Sequence, residues 1–250
     1  MQKSPIIALL LVTLGGCATS TPVRMWDTAL IAASTSQQIR LRYLDQTGKE
    51  HTGGYVERAH VDQLRDVVAR ISAVASQRVD KVLISDEEQA NASTGIDKSS
   101  QTVVIVTVRM LTLIQNDRDA MAALVGHEIS HLSHGHGEER KQHAQAAAVV
   151  GTIAGVLLQV ARIPLGSTIA DVGTRAVVTA YTRDQEREAD RSGIRYAYDA
   201  GFDPDGAVRL FALLAKAHSS SPIPFLSTHP VSEERIADLA AIAKELKTKQ

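Results

Sequence analysis

The pentad His127-Glu128-Ile129-Ser130-His131 constrains the fold of this chain more than any other stretch of its sequence. Histidines four residues apart lie one turn apart on the same face of an α-helix, where one metal ion can bind both imidazoles. Asn116 or Asp117 can cap such a helix at its start, and Gly135 and Gly137 can end it. We therefore expect a helix across the pentad that carries two zinc ligands on one face.

The composition predicts a helical protein with a closely packed interior. Of the 250 residues, 44% are apolar but only 4% are aromatic, so the core must consist mainly of Ala, Val, Leu and Ile. The formal net charge of −1 gives no general attraction to nucleic acid, and we expect no nucleic-acid partner. Cys17 is the single cysteine, which excludes an internal disulfide and a cysteine-rich zinc module.

Hydrophobic periodicity and capping signals predict an α+β, predominantly helical fold with a small β-sheet beside the pentad helix. The stretch from Val61 to Ala75 has its aliphatic residues on one face, as an amphipathic helix requires. Two runs rich in Val and Ile, Val79–Ser85 and Thr102–Val108, are typical of strands joined by a long polar turn. Further helices are expected over residues 182–200, 204–217 and 232–246.

The N-terminus has the pattern of a bacterial lipoprotein signal. Lys3 precedes an apolar run from Ile6 to Leu14, and Leu14-Gly15-Gly16-Cys17 has the small residues that a lipobox places before its cysteine. We expect a signal peptide over residues 1–16, an acylated Cys17 with a tether to residue 23, and one domain over residues 24–250. Ala18 stands in place of the aspartate of an inner-membrane retention signal, which favours the periplasmic face of the outer membrane.

One further apolar stretch, residues 144–161, has no charged residue and reaches the lower length limit of a membrane span. Its mixture of Ala, Gly and Val with Gln145, Thr152 and Gln159 is weakly apolar, so a buried helix or hairpin is the favoured interpretation. Insertion of this stretch into the membrane is the alternative.

A catalytic zinc site needs a third protein ligand and an open position for water. Glu128, beside the first histidine, is placed to take a proton from that water and pass it to a leaving amine. The metzincin pattern requires a histidine at position 137 and a glycine at position 134, but the chain has Gly137 and His134, so this pattern is disfavoured. His134 and His136 are interpreted as surface histidines or as residues that support the ligands.

Glu186 and Asp190 offer a second source of a ligand, because they share one face of a predicted helix. One carboxylate can bind zinc while the other accepts a hydrogen bond from a ligand imidazole. Glu188 faces a different direction and is rejected as the ligand. Ala189 and Gly193 are small enough to let this helix approach the pentad helix closely.

His229, in Ser227-Thr228-His229-Pro230, is the third possibility. From the loop before the last helix it can donate to the oxyanion formed in peptide hydrolysis, occupy the open zinc position and silence the site, or simply pack. These three interpretations stay open at this stage. Arg235 is a weaker oxyanion candidate on the same segment.

Three ordered stretches, HEISHLSHGH, QEREADRSG and STHPVSEERI, together resemble the M48 peptidases, which are gluzincin zinc endopeptidases. The resemblance covers about residues 117–240 and implies a gluzincin-like catalytic domain that holds one Zn²⁺. The implied roles are zinc ligand for His127, His131 and Glu186, base for Glu128, and hydrogen-bond partner of a ligand for Asp190. His136 also matches a recurring histidine of the family.

Together with the lipobox, the resemblance implies the periplasmic, lipoprotein-anchored branch of this family, whose members act in quality control of misfolded or stalled outer-membrane proteins. The implied partners are unfolded or misassembled envelope proteins as substrates, and the membrane through Cys17. A competing hypothesis is a lipid-anchored binding protein or holdase with a latent or structural zinc site.

The resemblance also implies a strand beside the cleft. Family members usually continue the Asn-Ala found here as Asn91-Ala92 with an aromatic residue and then a glycine-marked strand, to whose edge an extended substrate adds. Ser93 stands in place of the aromatic residue, a departure that bears on substrate affinity and leaves the zinc chemistry untouched.

Overall fold

A computed structural model describes residues 24–44, 49–97, 99–140, 142, 180–220 and 223–249. The predicted signal peptide, Cys17 with its tether, and the apolar stretch over residues 144–161 lie outside the described residues. In the described part of the chain, no helix combines the length and the apolar character that a membrane span requires.

Helices form most of the described structure, and the prediction of an α+β, predominantly helical fold is confirmed. The helices are α1 Thr28–Ala32, α2 Arg58–Val74, α3 Val108–Ile114, α4 Arg118–Ser133, α5 Arg183–Asp199, α6 Asp205–His218, α7 Pro224–Thr228 and α8 Glu233–Thr248. The strands are β1 Met25–Asp27, β2 Gln38–Leu44, β3 Glu50–Glu57, β4 Lys81–Ser85, β5 Ala92–Ile96 and β6 Thr102–Thr107.

Capping residues explain where the helices around the site begin and end. The side chains of Asp117 and Ser232 accept backbone N–H groups in the first turns of α4 and α8. Thr182 and Gln185 form a reciprocal capping box at the start of α5. Gly135 has a φ of 73° just beyond the end of α4, a conformation that favours glycine.

The main sheet has the strand order β1-β4-β6-β5, in which β4 and β6 are parallel and the other pairs are antiparallel. Strands β2 and β3 form a separate antiparallel pair. The interpretation of the stretch between β4 and β6 as one long turn was wrong, because β5 lies within it and pairs with β6. Ala, Ser and Gly in β5 have low strand propensity, so main-chain pairing with β6 rather than local preference explains this strand.

Helix α4 lies at the centre of the fold. Every residue from Ala120 to His131 is buried, and α4 contacts α2, α5, α6 and β5. A helix that is buried on all sides shows little amphipathic periodicity, whereas α2 buries only one face. The site residues of α4 are therefore enclosed by four other elements.

The closest approach between helices lies where Gly126 of α4 meets Gly193 of α5. A Cβ atom on Gly193 would lie 2.6 Å from the backbone nitrogen of His127, and one on Gly126 would lie 2.4 Å from the carbonyl oxygen of Gly193. Real Cβ atoms essentially never come this close to backbone, so both positions require glycine. The close approach predicted from Gly193 is present, and it brings the acidic face of α5 against the pentad.

Candidate metal centre

Helix α4 carries three of the predicted site residues into the interior. His127, Glu128 and His131 are 4%, 2% and 1% exposed. The Nε2 atoms of the two histidines lie 3.1 Å apart, as their spacing of one helical turn predicts. The pentad thus directs two imidazole nitrogens to one point inside the protein.

Helix α5 and the loop after α7 complete the cluster with Glu186 and His229. Oε1 of Glu186 lies 3.3 Å from Nε2 of His131 and 2.9 Å from Nδ1 of His229. Nδ1 of His229 is also 3.1 Å from Nε2 of His127. One ligand atom from each of these four residues lies within 4.8 Å of the other three. The structure therefore brings together two groups that the sequence offered as competing ligands.

His229 reaches the cluster because the short helix α7 ends just before it. Its backbone N–H donates to the carbonyl oxygen of Phe225 at 2.8 Å, and its ring stacks on the Phe225 ring with 4.4 Å between centroids. The Nε2 atom of His229 lies 3.3 Å from Oε1 of Glu128. One ring nitrogen of His229 thus faces the ligand atoms while the other faces the predicted base.

The donor atoms fit a zinc ion. Two imidazole nitrogens bound to one tetrahedral zinc are separated by about 3.3 Å, close to the 3.1 Å between the Nε2 atoms of His127 and His131. Imidazole and carboxylate together are a common donor set for zinc. Among the described residues, Oε2 of Glu186 is buried without a partner in hydrogen-bond geometry, although Nη1 of Arg235 lies 2.5 Å away. This oxygen is therefore paired with Arg235, and Oε1 is the oxygen of Glu186 that faces the histidine nitrogens.

The sequence pattern of Peptidase family M48 matches residues 58–243, about three quarters of the chain. This chain belongs to Peptidase family M48. The match begins at the start of α2 and therefore includes strands β4, β5 and β6, which the three motifs over residues 117–240 do not reach.

Several proteases are similar to this chain. It is 34% identical over 142 residues to the beta-barrel assembly-enhancing protease of Escherichia coli strain K12, over 53% of this chain and 29% of the relative. It is 25% identical over 225 residues to a protease HtpX homolog of Salinibacter ruber, over 75% and 77% of the two chains. It is 30% identical over 126 residues to metalloprotease YcaL of Escherichia coli strain K12, over 49% and 48%. The chain thus spans less than a third of the length of the first of these relatives.

In this M48 domain Asp190 contacts His127 on the side of the ring that faces away from the other proposed ligands. Oδ1 of Asp190 is 3.0 Å from Nδ1 of His127. Arg235 donates to Asp190 from Nε at 2.7 Å and from Nη2 at 2.8 Å, and its Nη1 faces Glu186 and the carbonyl oxygen of Pro230. The carboxylates of α5 therefore hold the guanidinium in place. These contacts disfavour an oxyanion role for Arg235, which stays a prediction.

Burial and neighbouring charges move the acid–base groups of the M48 site in different directions. Burial raises the pKa of Glu128. Burial acts in the same direction on Glu186, but His127 and His131 hold its pKa well below the usual range. Burial lowers the pKa of His131 to about 2, whereas the carboxylates of Glu186 and Asp190 outweigh burial and raise the pKa of His127. The two site carboxylates are therefore inequivalent, since Glu186 is held ionised and Glu128 is the stronger base.

Two residues of the site were not found from the sequence. The Tyr181 ring stacks on the His131 ring with 3.7 Å between centroids and 19° between planes, and burial raises the pKa of Tyr181 to about 12. The hydroxyl of Thr94, on β5, donates to the carbonyl oxygen of Glu128 at 3.0 Å and lies 3.4 Å from its Oε2. Neither contact has a local sequence signal, because both join residues far apart in the chain.

Strand β5 is the strand that the resemblance implied after Asn91-Ala92. It lies at the end of the strand order and pairs only with β6 among the described strands. Through Thr94 it contacts α4 at Glu128. Ser93 on this strand is exposed. The strand edge is therefore adjacent to the predicted base.

Proposed function

We propose that this chain is a zinc-dependent endopeptidase of the bacterial cell envelope. The observation that carries the proposal is the buried group of His127, His131, Glu186 and His229 with Glu128 beside it. Membership of Peptidase family M48 supports the same activity. Because the chain covers only 29% of its beta-barrel assembly-enhancing relatives, its activity and substrates need a direct test.

In the proposed mechanism His127, His131 and Glu186 hold the zinc ion. When bound, zinc lowers the pKa of a water molecule and polarises a carbonyl oxygen. Glu128 accepts a proton from the attacking water and returns it to the leaving amine. Burial raises the pKa of Glu128, which suits a carboxylate that must take up a proton near neutral pH. Asp190 accepts the N–H of His127 and keeps that ring in the tautomer that binds metal.

The proposed substrates are unfolded or misassembled proteins of the cell envelope. An extended peptide can add to an unpaired strand edge by main-chain hydrogen bonds, and among the described strands β5 has such an edge next to Glu128. The names of the beta-barrel assembly-enhancing relatives support outer-membrane proteins as the class of substrate. Ser93 offers little apolar surface on this edge, so we expect weak peptide binding.

The proposed location is the periplasmic face of the outer membrane, with residues 1–16 as signal peptide and Cys17 as the acylated anchor. Several acyl chains on one cysteine give durable membrane binding. Cys17→Ser should therefore release the chain from the membrane fraction of cells. If this variant stays with the membrane as fully as wild type does, anchoring through Cys17 is refuted.

The first experiment compares wild type with Glu128→Gln in cleavage of an unfolded protein. Both full-length chains are purified in detergent and loaded to equal zinc content. We expect cleavage by wild type only, because Gln keeps the shape of Glu but cannot accept the proton. Cleavage by Glu128→Gln at the wild-type rate would refute the role of Glu128. Glu186→Ala and His131→Ala should instead lose zinc, and full metal occupancy in either would refute the ligand assignment.

A second candidate function is a binding protein with a latent or structural zinc site, and one observation favours it. Nδ1 of His229 lies among the donor atoms, where it can act as a fourth ligand and close the position that a catalytic water needs. His229→Ala distinguishes the possibilities. Cleavage that rises in this variant indicates a capped enzyme, whereas cleavage that falls indicates that His229 donates to the oxyanion. Peptide capture without cleavage by both chains supports the binding protein.

A further inference from the structure

A chain of side chains leads from the metal centre to the protein surface. Nδ1 of His131 lies 2.9 Å from Nδ1 of His136, and Nε2 of His136 lies 3.1 Å from Oε2 of Glu188. The His136 side chain is 3% exposed, whereas that of Glu188 is 53% exposed. These three residues form a continuous path, named here the His131–His136–Glu188 relay.

The contact between the two Nδ1 atoms determines which nitrogens carry protons. Two imidazole nitrogens form a hydrogen bond only when one donates and the other accepts. Nε2 of His131 faces the other proposed ligands, so it keeps its lone pair for the metal and the proton lies on Nδ1. Nδ1 of His136 is therefore the acceptor, and Nε2 of His136 donates to Glu188.

We propose that His136 is a positioning residue that orients His131 by accepting its Nδ1–H, and that Glu188 keeps His136 in the tautomer that can accept. The inference rests on the metal site proposed above. In this arrangement each ligand histidine has its own carboxylate partner. Asp190 contacts His127 directly, whereas Glu188 contacts His136, which in turn contacts His131. It also explains why a histidine lies buried just beyond the end of α4.

Two substitutions separate the hydrogen bond from simple packing. In His136→Asn, the side-chain Oδ1 takes about the place of the histidine Nδ1 and can accept the same N–H. In His136→Leu, the side chain has a similar branch point but no acceptor. Loss of such a partner lowers metal affinity about 10- to 100-fold. We expect this loss in His136→Leu and recovery of most of it in His136→Asn, measured on the full-length chain in detergent by zinc competition with a chromophoric chelator.

His134→Ala is the matched control. Nε2 of His134 lies 3.6 Å from Oε1 of Glu188, as part of the same surface cluster, but its Nδ1 faces Ser130 instead of His131. The His134 ring stacks on the His136 ring with 5.5 Å between centroids, but it accepts no hydrogen bond from His131, so zinc affinity should fall far less in His134→Ala than in His136→Leu. Glu188→Ala should lower zinc affinity less than His136→Leu does, because water can replace an exposed carboxylate, and Glu188→Gln should keep most of the effect of the native residue.

Thermal unfolding of the zinc-free chains checks that each variant folds. If His136→Leu does not fold, the comparison of Glu188→Ala with Glu188→Gln decides. The relay is overturned if His136→Leu binds zinc as wild type does, or if His136→Leu and His136→Asn lose affinity equally. A wild-type chain that binds no zinc overturns the metal centre itself, and the relay with it.

Discussion

Replacing Gly193 by alanine should damage the metal centre, although Gly193 has no side chain that could bind metal. The added Cβ would lie 2.6 Å from the backbone nitrogen and 2.8 Å from the Cα of His127. Ordinary contacts begin at 3.4 Å, so α4 and α5 must move apart by about 0.8 Å at this point. Because Glu186 lies on α5 and both pentad histidines lie on α4, the movement acts directly on the distances between ligand atoms.

The sign of the change in the free energy of unfolding distinguishes a steric clash from the ordinary effect of helix propensity. A Gly→Ala change in an exposed helix stabilises by about 1 kcal/mol, because alanine has the higher helix propensity. Forcing an extra carbon into a tight contact costs about 1–3 kcal/mol, and here the contact is with backbone. We therefore expect Gly193→Ala to lower the free energy of unfolding. Metal–ligand distances tolerate changes of about 0.2 Å, so zinc affinity should fall, and a displacement near 1 Å can reduce turnover about 100-fold.

Urea titration of the zinc-free chain gives the free energy of unfolding, and chelator competition gives the zinc affinity. Gly137→Ala is the matched control, because Gly137 lies within the short helical stretch over residues 136–140, is exposed unlike Gly193, and a Cβ there would meet nothing within 4 Å. This control should be as stable as wild type or slightly more stable. If Gly193→Ala matches the control in both measurements, the close contact of α4 with α5 does not set the geometry of the metal centre.

Two further perturbations test the groups around the site. Asp190→Ala should weaken zinc binding about 10- to 100-fold and lower the free energy of unfolding by about 3–5 kcal/mol, because it leaves the buried charge of Arg235 with fewer partners. Asp190→Asn keeps an acceptor for His127 and should retain more zinc affinity, so equal losses in chelator competition would contradict the hydrogen bond. Asp117→Ala removes the N-cap of α4 and should cost about 1 kcal/mol near neutral pH. Arg209 holds the pKa of Asp117 below its usual value, so this stabilisation is present above about pH 4 and is lost as the pH falls through the lower folded-state pKa. Urea titrations should therefore show the difference between wild type and Asp117→Ala shrinking in acid, and a constant difference would refute the assignment.

Local patterns in the sequence were sufficient to predict most of the helices that frame the site. Helical periodicity determines which side chains share a face, so the spacing of His127 and His131, and that of Glu186 and Asp190, could be interpreted without any tertiary information. Capping residues indicated the helix ends, because they too are a local signal in the sequence. Strand β5 could not be recognised from its own residues, because its place in the sheet depends on pairing with β6.

The sequence by itself determined the chemical groups of this protein: two imidazoles and a carboxylate on one helix, and two carboxylates on another. It left Glu186 and His229 as alternatives, and it gave no sign of the contacts made by Thr94 and Tyr181. Only the tertiary structure decided that both alternatives lie in one cluster and that His136 lies behind His131. The physical reason is that these distances depend on how closely two helices cross, and no periodicity within either helix records that distance.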